Sequence, residues 1–454
     1  MGALNNSESK NSKLSLVSMI AICVGLVIVQ GAMISALQGI GIGGSAFVLA
    51  MFCALIIAQC NAMSFAELAL MFPQEGTLAT YTQKALGHFP AIIAVFAGYV
   101  VVAILAIPVE MLLVEAILNE LLPSFEYNKA IPIVLLGGLT LTSLIGADVF
   151  SKIQNVLAFV LIGALILVGL VAVTGGLPEE GVRQSNVVWS LASAWNGGFI
   201  GLIALAMWMM VGVEFICPMI NQVKSPTRNI PLSMQLSLVI IFVIFLMFSY
   251  GSTRFLSGEE LLQSPLPYLA YTQAVFGKIG LIIATILAIT ATCSTINTVL
   301  TSVPKMLHGM AENKQAFPQL KAINRYGSPW VAIVFLAVCT LMPYIFLEID
   351  SLLILVIAAT TSWLLAYIIA HIDVLVLRIR LPNMQRQYRT PFYPIPQIIG
   401  IIAMIYVALN NSPDPSVTKL VYSITGGILV VVSVIAALWV KLYMKKGLFD
   451  PDMD

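Results

Sequence analysis

Apolar runs of about twenty residues recur along the whole chain, separated by short polar turns. A helix needs roughly 20 apolar residues to cross the hydrocarbon core of a bilayer. Measured against that length, the sequence predicts twelve spans. The first six are 15–38, 44–71, 91–119, 131–147, 154–174 and 198–221. The other six are 231–252, 277–305, 329–347, 351–376, 397–411 and 419–442. Composition closes off the soluble alternative. Of the 454 residues, 59% are hydrophobic and 9% charged, against roughly 25% charged in an ordinary soluble domain. A soluble fold cannot hide so much apolar surface, whereas lipid can act as its solvent. The expected fold class is an all-α membrane protein of twelve transmembrane helices.

The basic residues orient the bundle, because cytosolic loops carry an excess of Lys and Arg. With the N-terminus inside, 17 of the 22 fall on the cytosolic side and five (Lys129, Arg183, Arg254, Lys278 and Lys419) outside. The polar stretch 1–13 lacks the charged segment, short apolar run and cleavage site of a signal peptide. It reads as a cytosolic tail, and both termini are expected in the cytosol, at a cell's inner (plasma) membrane. The expected organisation is a tail over 1–14, a core of ten spans over 15–376, a cytosolic loop over 377–396, two further spans over 397–442 and a tail over 443–454. The longest polar segments are the outer loop around 178–196 and the inner loops around 312–328 and 382–396.

Several function classes drop out. The net charge of +1 indicates no partner, and no nucleic acid is expected. The six cysteines (Cys23, Cys53, Cys60, Cys217, Cys293, Cys339) lie inside apolar stretches without metal-ligand spacing and read as small buried hydrophobes. There is no Gly-Lys-Ser/Thr phosphate loop for ATP-driven transport. His88, His308 and His371 are too few, and too near expected cytosolic ends, for an intramembrane enzyme. No cofactor is expected beyond possible proton coupling.

Many secondary transporters consist of two inverted repeats whose substrate sites lie where helices break near the midplane. Span one carries such a candidate in Val29-Gln30-Gly31-Ala32-Met33, a polar pair deep in an apolar run. Span six carries another in Val211-Gly212-Val213-Glu214. Glycines in spans also serve close helix packing, but a five-span repeat puts these two stretches in corresponding places. An odd repeat length also forces the halves to be inverted.

At this point the sequence resembles the amino acid/polyamine/organocation transporter family. Phe65-Ala66-Glu67-Leu68-Ala69, Phe72-Pro73-Gln74-Glu75-Gly76, Tyr81 and Ala85-Leu86-Gly87 are similar to its turn after span two. Gly146 through Gln154-Asn155 looks like its stretch before span five. Trp208 through Glu214 with Val223 through Pro231 resembles the basic amino acid and amine antiporters, and 386–396 (RQYRTPFYPIP) the loop between spans ten and eleven. The resemblance implies a five-plus-five inverted-repeat core with broken helices one and six. The chain departs from it at span one. The family commonly has Gly-Ser-Gly-Ile there, with amides that bind a carboxylate, whereas Gln30-Gly31-Ala32-Met33 holds one glycine. That departure favours an amine lacking a carboxylate.

Acidic residues inside a membrane are costly and usually functional. Glu214 follows the span-six break, where the resemblance implies a gating or proton-linked role; the alternative is a carboxylate held by unwound amides. Glu110 and Glu115 lie five residues apart on span three, about 140° around a helix, so they do not both face one site. Glu110, deeper and just after Pro108, is the candidate for an ammonium contact. Glu67 reads as a structural or gate ion pair with a cytosolic Lys or Arg. Trp208, a turn before the break, can stack on a cation or simply pack. The hydroxyls of Thr290-Ala291-Thr292-Cys293-Ser294-Thr295 occupy the place of a sodium site in relatives, but hydroxyls also bond helical carbonyls without function. Asp373, near His371, is expected at the interface.

The expected substrate site is therefore Gln30, Gly31, Ala32, Met33, Glu110, Trp208, Gly212 and Glu214. The expected function is secondary transport of an amino acid or organic amine by alternating access, proton-coupled or by exchange. The alternative is a membrane-embedded sensor that binds such a ligand without moving it. The oligomeric state is left open.

Overall fold

The computed structural model describes residues 13–125, 129–175, 187, 189, 190, 198–411 and 415–453. The expected outer loop around 178–196 falls almost entirely outside the described residues, as do positions 1–12 of the N-terminal tail. What is described is helical, with no β-strand beyond one isolated bridge between Leu14 and Val223.

Span one is two helices, α1 (Leu16–Val27) and α2 (Gln30–Gly43), bent by 65°. A one-residue turn at Gly44 leads to α3 (Ser45–Met71), and a short helix α4 (Leu78–Leu86) follows. The next span joins α5 (His88–Val95), a π-turn (Phe96–Val100) and α6 (Val101–Leu121). Then come α7 (Ala130–Ile145) and α8 (Ala147–Thr174), which starts seven residues before the expected boundary at 154. Span six is α9 (Phe199–Met207), a turn, and a 3-10 helix (Val213–Gln222). Next are α10 (Pro226–Ser252), the short α11 (Gly258–Gln263) and α12 (Pro267–Phe276), and the long α13 (Ile279–Glu312). The chain ends with α14 (Trp330–Phe346), α15 (Ile349–Arg380), α16 (Ile395–Leu409) and α17 (Pro415–Leu438), the last extended by a π-turn to Met444.

Among the described residues, seven helical segments are each long and apolar enough to cross a membrane, and the bent α1–α2 pair makes an eighth. The remaining expected spans coincide with three shorter apolar helices, α7, α14 and α16, and with the interrupted segment 199–222. Burial sorts the helices into layers. Of its most apolar stretch, the segment 88–121 has 72% inside the protein but α17 only 17%, so the former is central and the latter peripheral. Bulky apolar side chains such as Phe159, Val243, Ile402 and Val431 face outward. In water that would be an aggregation hazard; against lipid tails it costs nothing. By the same measure of burial, α13 (67%) and α15 (61%) are central with the 88–121 segment, whereas α8 (33%) presents most of its apolar stretch outward.

Two loops are tied down at the end of the bundle that carries the C-terminal tail. The loop after α15 folds back so that Glu67 on α3 meets two guanidiniums. Arg378 donates from Nε at 2.8 Å and from Nη2 at 2.7 Å, and Arg386 Nε lies 3.3 Å away. The Thr390 amide completes the set at 2.8 Å. Burial lowers the Arg386 guanidinium from its ordinary value, and the Glu67 carboxylate opposes that. The expected ion pair of Glu67 thus has named partners. The tail itself docks on the α4–α5 corner. Phe89 N donates to Leu448 O (3.2 Å), Asp452 N to Gln83 O (3.1 Å) and Lys84 Nζ to Met453 O (2.9 Å), while Phe89 and Phe449 meet edge to face.

One expectation needs correcting. Asp373, expected at the interface and so near water, is enclosed by the protein, as is its neighbour His371. Both are fully buried: His371 lies between Ser64 and Asn61, and Asp373 accepts from Thr82 at 2.6 Å. The reason is that α15 runs on to Arg380 and that α4 packs over this part of it.

Candidate functional site

A broken helix exposes amides at one side of the break and carbonyls at the other. The span-one break lies at Ile28 and Val29, two residues before the expected Gln30-Gly31 pair, because Val29 is extended (φ −96°, ψ 166°). Gln30, Gly31, Ala32 and Met33 are therefore not the break but the first turn of α2. Their backbone donors can be followed one by one. Ala32 N and Met33 N bond back to Val29 O, at 3.1 and 3.2 Å. Gln30 N and Gly31 N have no helical acceptor, and α2 has no side-chain cap of its own. Glu110 of α6 supplies one. Its Oε2 accepts from Gln30 N at 3.1 Å and its Oε1 from Gly31 N at 3.2 Å.

The rest of this cluster fixes the carboxylate. Thr292 Oγ1 on α13 donates to Glu110 Oε2 at 3.1 Å. The Gln30 side chain donates from Nε2 to Thr292 Oγ1 (2.7 Å) and to Glu110 O (3.1 Å). Its Oε1 accepts from Tyr268 of α12 at 2.6 Å. An anion at the positive end of a half-helix dipole is the stable placement. Glu110 was expected to meet a ligand's ammonium; in the structure its direct partners are the protein's own donors.

The span-six break is built differently. Gly212 sits at φ +118°, a conformation that a side chain strains, and its absent Cβ would lie 3.3 Å from Leu26 and 3.5 Å from Val27. The two breaks therefore meet back to back. Gly212 N donates to the Tyr367 hydroxyl (3.1 Å), which donates in turn to Glu214 Oε1 at 2.8 Å. Tyr99, in the π-turn of span three, reaches the same oxygen at 3.4 Å. Phe215 and Trp363 close the surroundings, with ring centroids 5.3 and 6.3 Å from Tyr99. Glu214 is buried here among tyrosines. Tyr99 precedes Glu110 by eleven residues, about 16 Å along a helix, so the Tyr99 and Glu110 backbones stand at different levels of span three.

Trp208 stands apart. Its Nε1 donates to Asn411 of the segment after α16 at 3.1 Å, and its ring lines a small apolar cavity with Met207, Val211 and Trp363. The span-eight hydroxyls mostly serve neighbouring backbone and side chains. Thr290 bonds Ile286 O, Thr295 bonds Leu26 O, and Ser294 accepts from Gln154, which also accepts from Asn297. Glu115 accepts from Tyr344 at 2.8 Å on the far side of α6.

The residues missed in the sequence are Tyr99, Tyr268 and Tyr367; Thr292 was named only among the span-eight hydroxyls, not as a partner of Glu110. Tyr99 had a weak local signal, Gly98-Tyr99 inside an apolar run. Tyr367 holds both the free amide of the break and Glu214. Tyr367→Phe is expected to leave both under-satisfied and lower the unfolding free energy by ~1–3 kcal/mol. Chemical unfolding in detergent reads this, and an unchanged midpoint would rule the clasp out.

Comparison with known proteins fits this architecture. Residues 14–434 match the family described as amino acid permease. The human cystine/glutamate transporter is 23% identical over 431 residues, covering 91% of this chain and 83% of that one. The serine/threonine exchanger of Bacillus subtilis is 23% identical over 359 residues, covering 78% and 80%. The mouse b(0,+)-type amino acid transporter 1 is 21% identical, covering 90% and 85%. Among solved structures, a manganese transporter of Eremococcus coleocola superposes with a TM-score of 0.60 at 14% identity over 97% of both chains, which shows a shared fold. The match spans nearly the whole chain, and its relatives are transporters rather than enzymes: this multi-pass membrane protein belongs to the amino acid permease family.

Proposed function

We propose that the chain is a secondary active transporter that moves amino acids or organic amines by alternating access, coupled to protons or by exchange. The observation that carries this reading is the pair of interrupted spans, α1–α2 and α9 with its 3-10 continuation, meeting at Gly212 and Leu26, with a buried carboxylate at each. Interrupted helices place helix ends and their half-helix dipoles at a central level, where secondary transporters hold small solutes; here Glu110 and Tyr367 hold the exposed amides. On this reading the substrate path runs past Gln30, Gly31, Ala32, Met33, Glu110, Gly212 and Glu214, with Trp208 flanking it. Spans one to ten (15–376) form the transport core, and 397–442 add two peripheral spans. The membrane is a cell's inner (plasma) membrane, with both termini on the cytosolic side, the orientation that the basic residues favour. The relatives named above exchange or carry amino acids, which supports the solute class.

Uptake by purified protein in liposomes tests the proposal. Labelled amino acids and amines are offered with and without an inward proton gradient, or against the same solute preloaded inside. Accumulation driven by the gradient supports symport, and uptake only against preloaded solute supports exchange. Saturable binding with no movement of any solute sinks the transport reading and favours a sensor.

A further inference from the structure

The cluster around Glu110 bears on which solute this site takes. The amide end of α2 is the natural seat for an anion brought in by a ligand. Here that seat is taken by a side chain of the same protein. Both free amides, the Thr292 hydroxyl and the Gln30 side chain are committed to Glu110 or its backbone. The second break is occupied in the same manner, since Gly212 N is bonded to Tyr367. The direct partners of Glu110 and Glu214 are amides, hydroxyls and tyrosines, and none of them is a basic side chain. A ligand carboxylate entering beside α2 would lose its donors to Glu110 and meet a fixed negative charge in a poorly screened interior. An ammonium meets the opposite situation. It finds a carboxylate with acceptor capacity left after three donors, with the Thr292 hydroxyl and Tyr268 in the same cluster.

We infer that Glu110 sets the selectivity of this carrier, filling the amide cradle of α2 so that the site takes organic ammonium ions without an α-carboxylate in preference to the parent α-amino acids. The inference rests on the proposed transport site. The carboxylate that an amino acid would supply is here built into span three.

Matched pairs test it: agmatine with arginine, cadaverine with lysine, and ethanolamine with serine. Binding is read by thermal stabilisation and competition on the purified full chain, and uptake is read separately in liposomes. The wild type is expected to bind at least one amine roughly tenfold or more tighter than its amino acid, the scale of one charge-assisted contact. Glu110→Ala opens the cradle and should invert that ratio, admitting the amino acid. Glu110→Gln keeps the cradle filled without charge, so it should lose amine affinity and gain no amino acid; it also covers the case in which the alanine variant fails to fold. An amino acid that binds the wild type as well as its amine overturns the inference, as does an unchanged ratio in Glu110→Ala, or failure of all three amines to bind. Amino acid uptake by the wild type with no amine preference sinks the inference and leaves the transport reading standing. Amine-selective binding without uptake does the reverse.

Discussion

Glu67→Ala is expected to destabilise the folded protein by ~3–5 kcal/mol, the cost of removing one partner from a buried ionic cluster. The carboxylate is fully buried and accepts from Arg378 twice and from the Thr390 amide, with Arg386 beside it. Its removal takes the acceptor from Arg378 Nε and from the Thr390 N–H in a largely buried place, where unpaired donors are costly. Arg386 has other acceptors, donating to Leu377 O, Leu381 O and Met384 O at the end of α15. Arg378 also stacks on Tyr393, 4.1 Å from the ring. The damage should therefore fall mainly on the junction between the 382–394 loop and α3. Glu67→Gln combined with Arg378→Gln should recover part of the loss, because contacting residues couple. Chemical unfolding in detergent of the two single variants and the double variant measures this. Additive losses would mean that the pair is not coupled.

Gly309→Ala should also be damaging, by a steric route. A Cβ there would lie 2.3 Å from Gly76 N and 2.6 Å from Gly76 Cα. Those atoms are backbone, so no side chain can swing away, and α13 must separate from the turn after α3. Overpacking of this kind costs ~1–3 kcal/mol. The same contact holds His308 of α13 3.3 Å from Glu75, so the separation should also break that pair and reduce uptake. Gly76→Ala is the internal control. Its Cβ would mainly meet the Thr80 hydroxyl, at 2.5 Å, a side-chain tip that can rotate. A variant at 309 as stable and active as the one at 76 would show that the backbones separate at no cost.

The helical class and the positions of the apolar segments were legible because lipid imposes one rule on every span, and that rule acts through composition alone. The acidic candidates were legible for the same reason, since a carboxylate in an apolar run stands out. The stretch singled out in span one began at Val29, inside the break, but the weight fell on the Gln30-Gly31 pair just after it. Gly31 drew attention as the flexible position, whereas the chain actually opens at Ile28 and Val29, whose side chains give no such cue. The partners were illegible on other grounds. Thr292 and Tyr268 lie more than 200 positions from Gln30, and Tyr367 lies 153 from Glu214. A tyrosine or threonine in a span carries no mark of which distant group it will serve. The orientation of Trp208 toward Asn411 depends on how α16 packs, which local pattern does not encode.

The docked tail has a practical bearing. Its backbone is bonded to Phe89 and Gln83, so residues 448–452 lie against the start of span three. A change that lifted residues 448–453 away would therefore also loosen the α4–α5 corner. The same closeness is useful to an experimenter. A dye placed near position 450 and another on α4 would start within contact distance, and their separation would report directly whether this corner loosens as solute crosses.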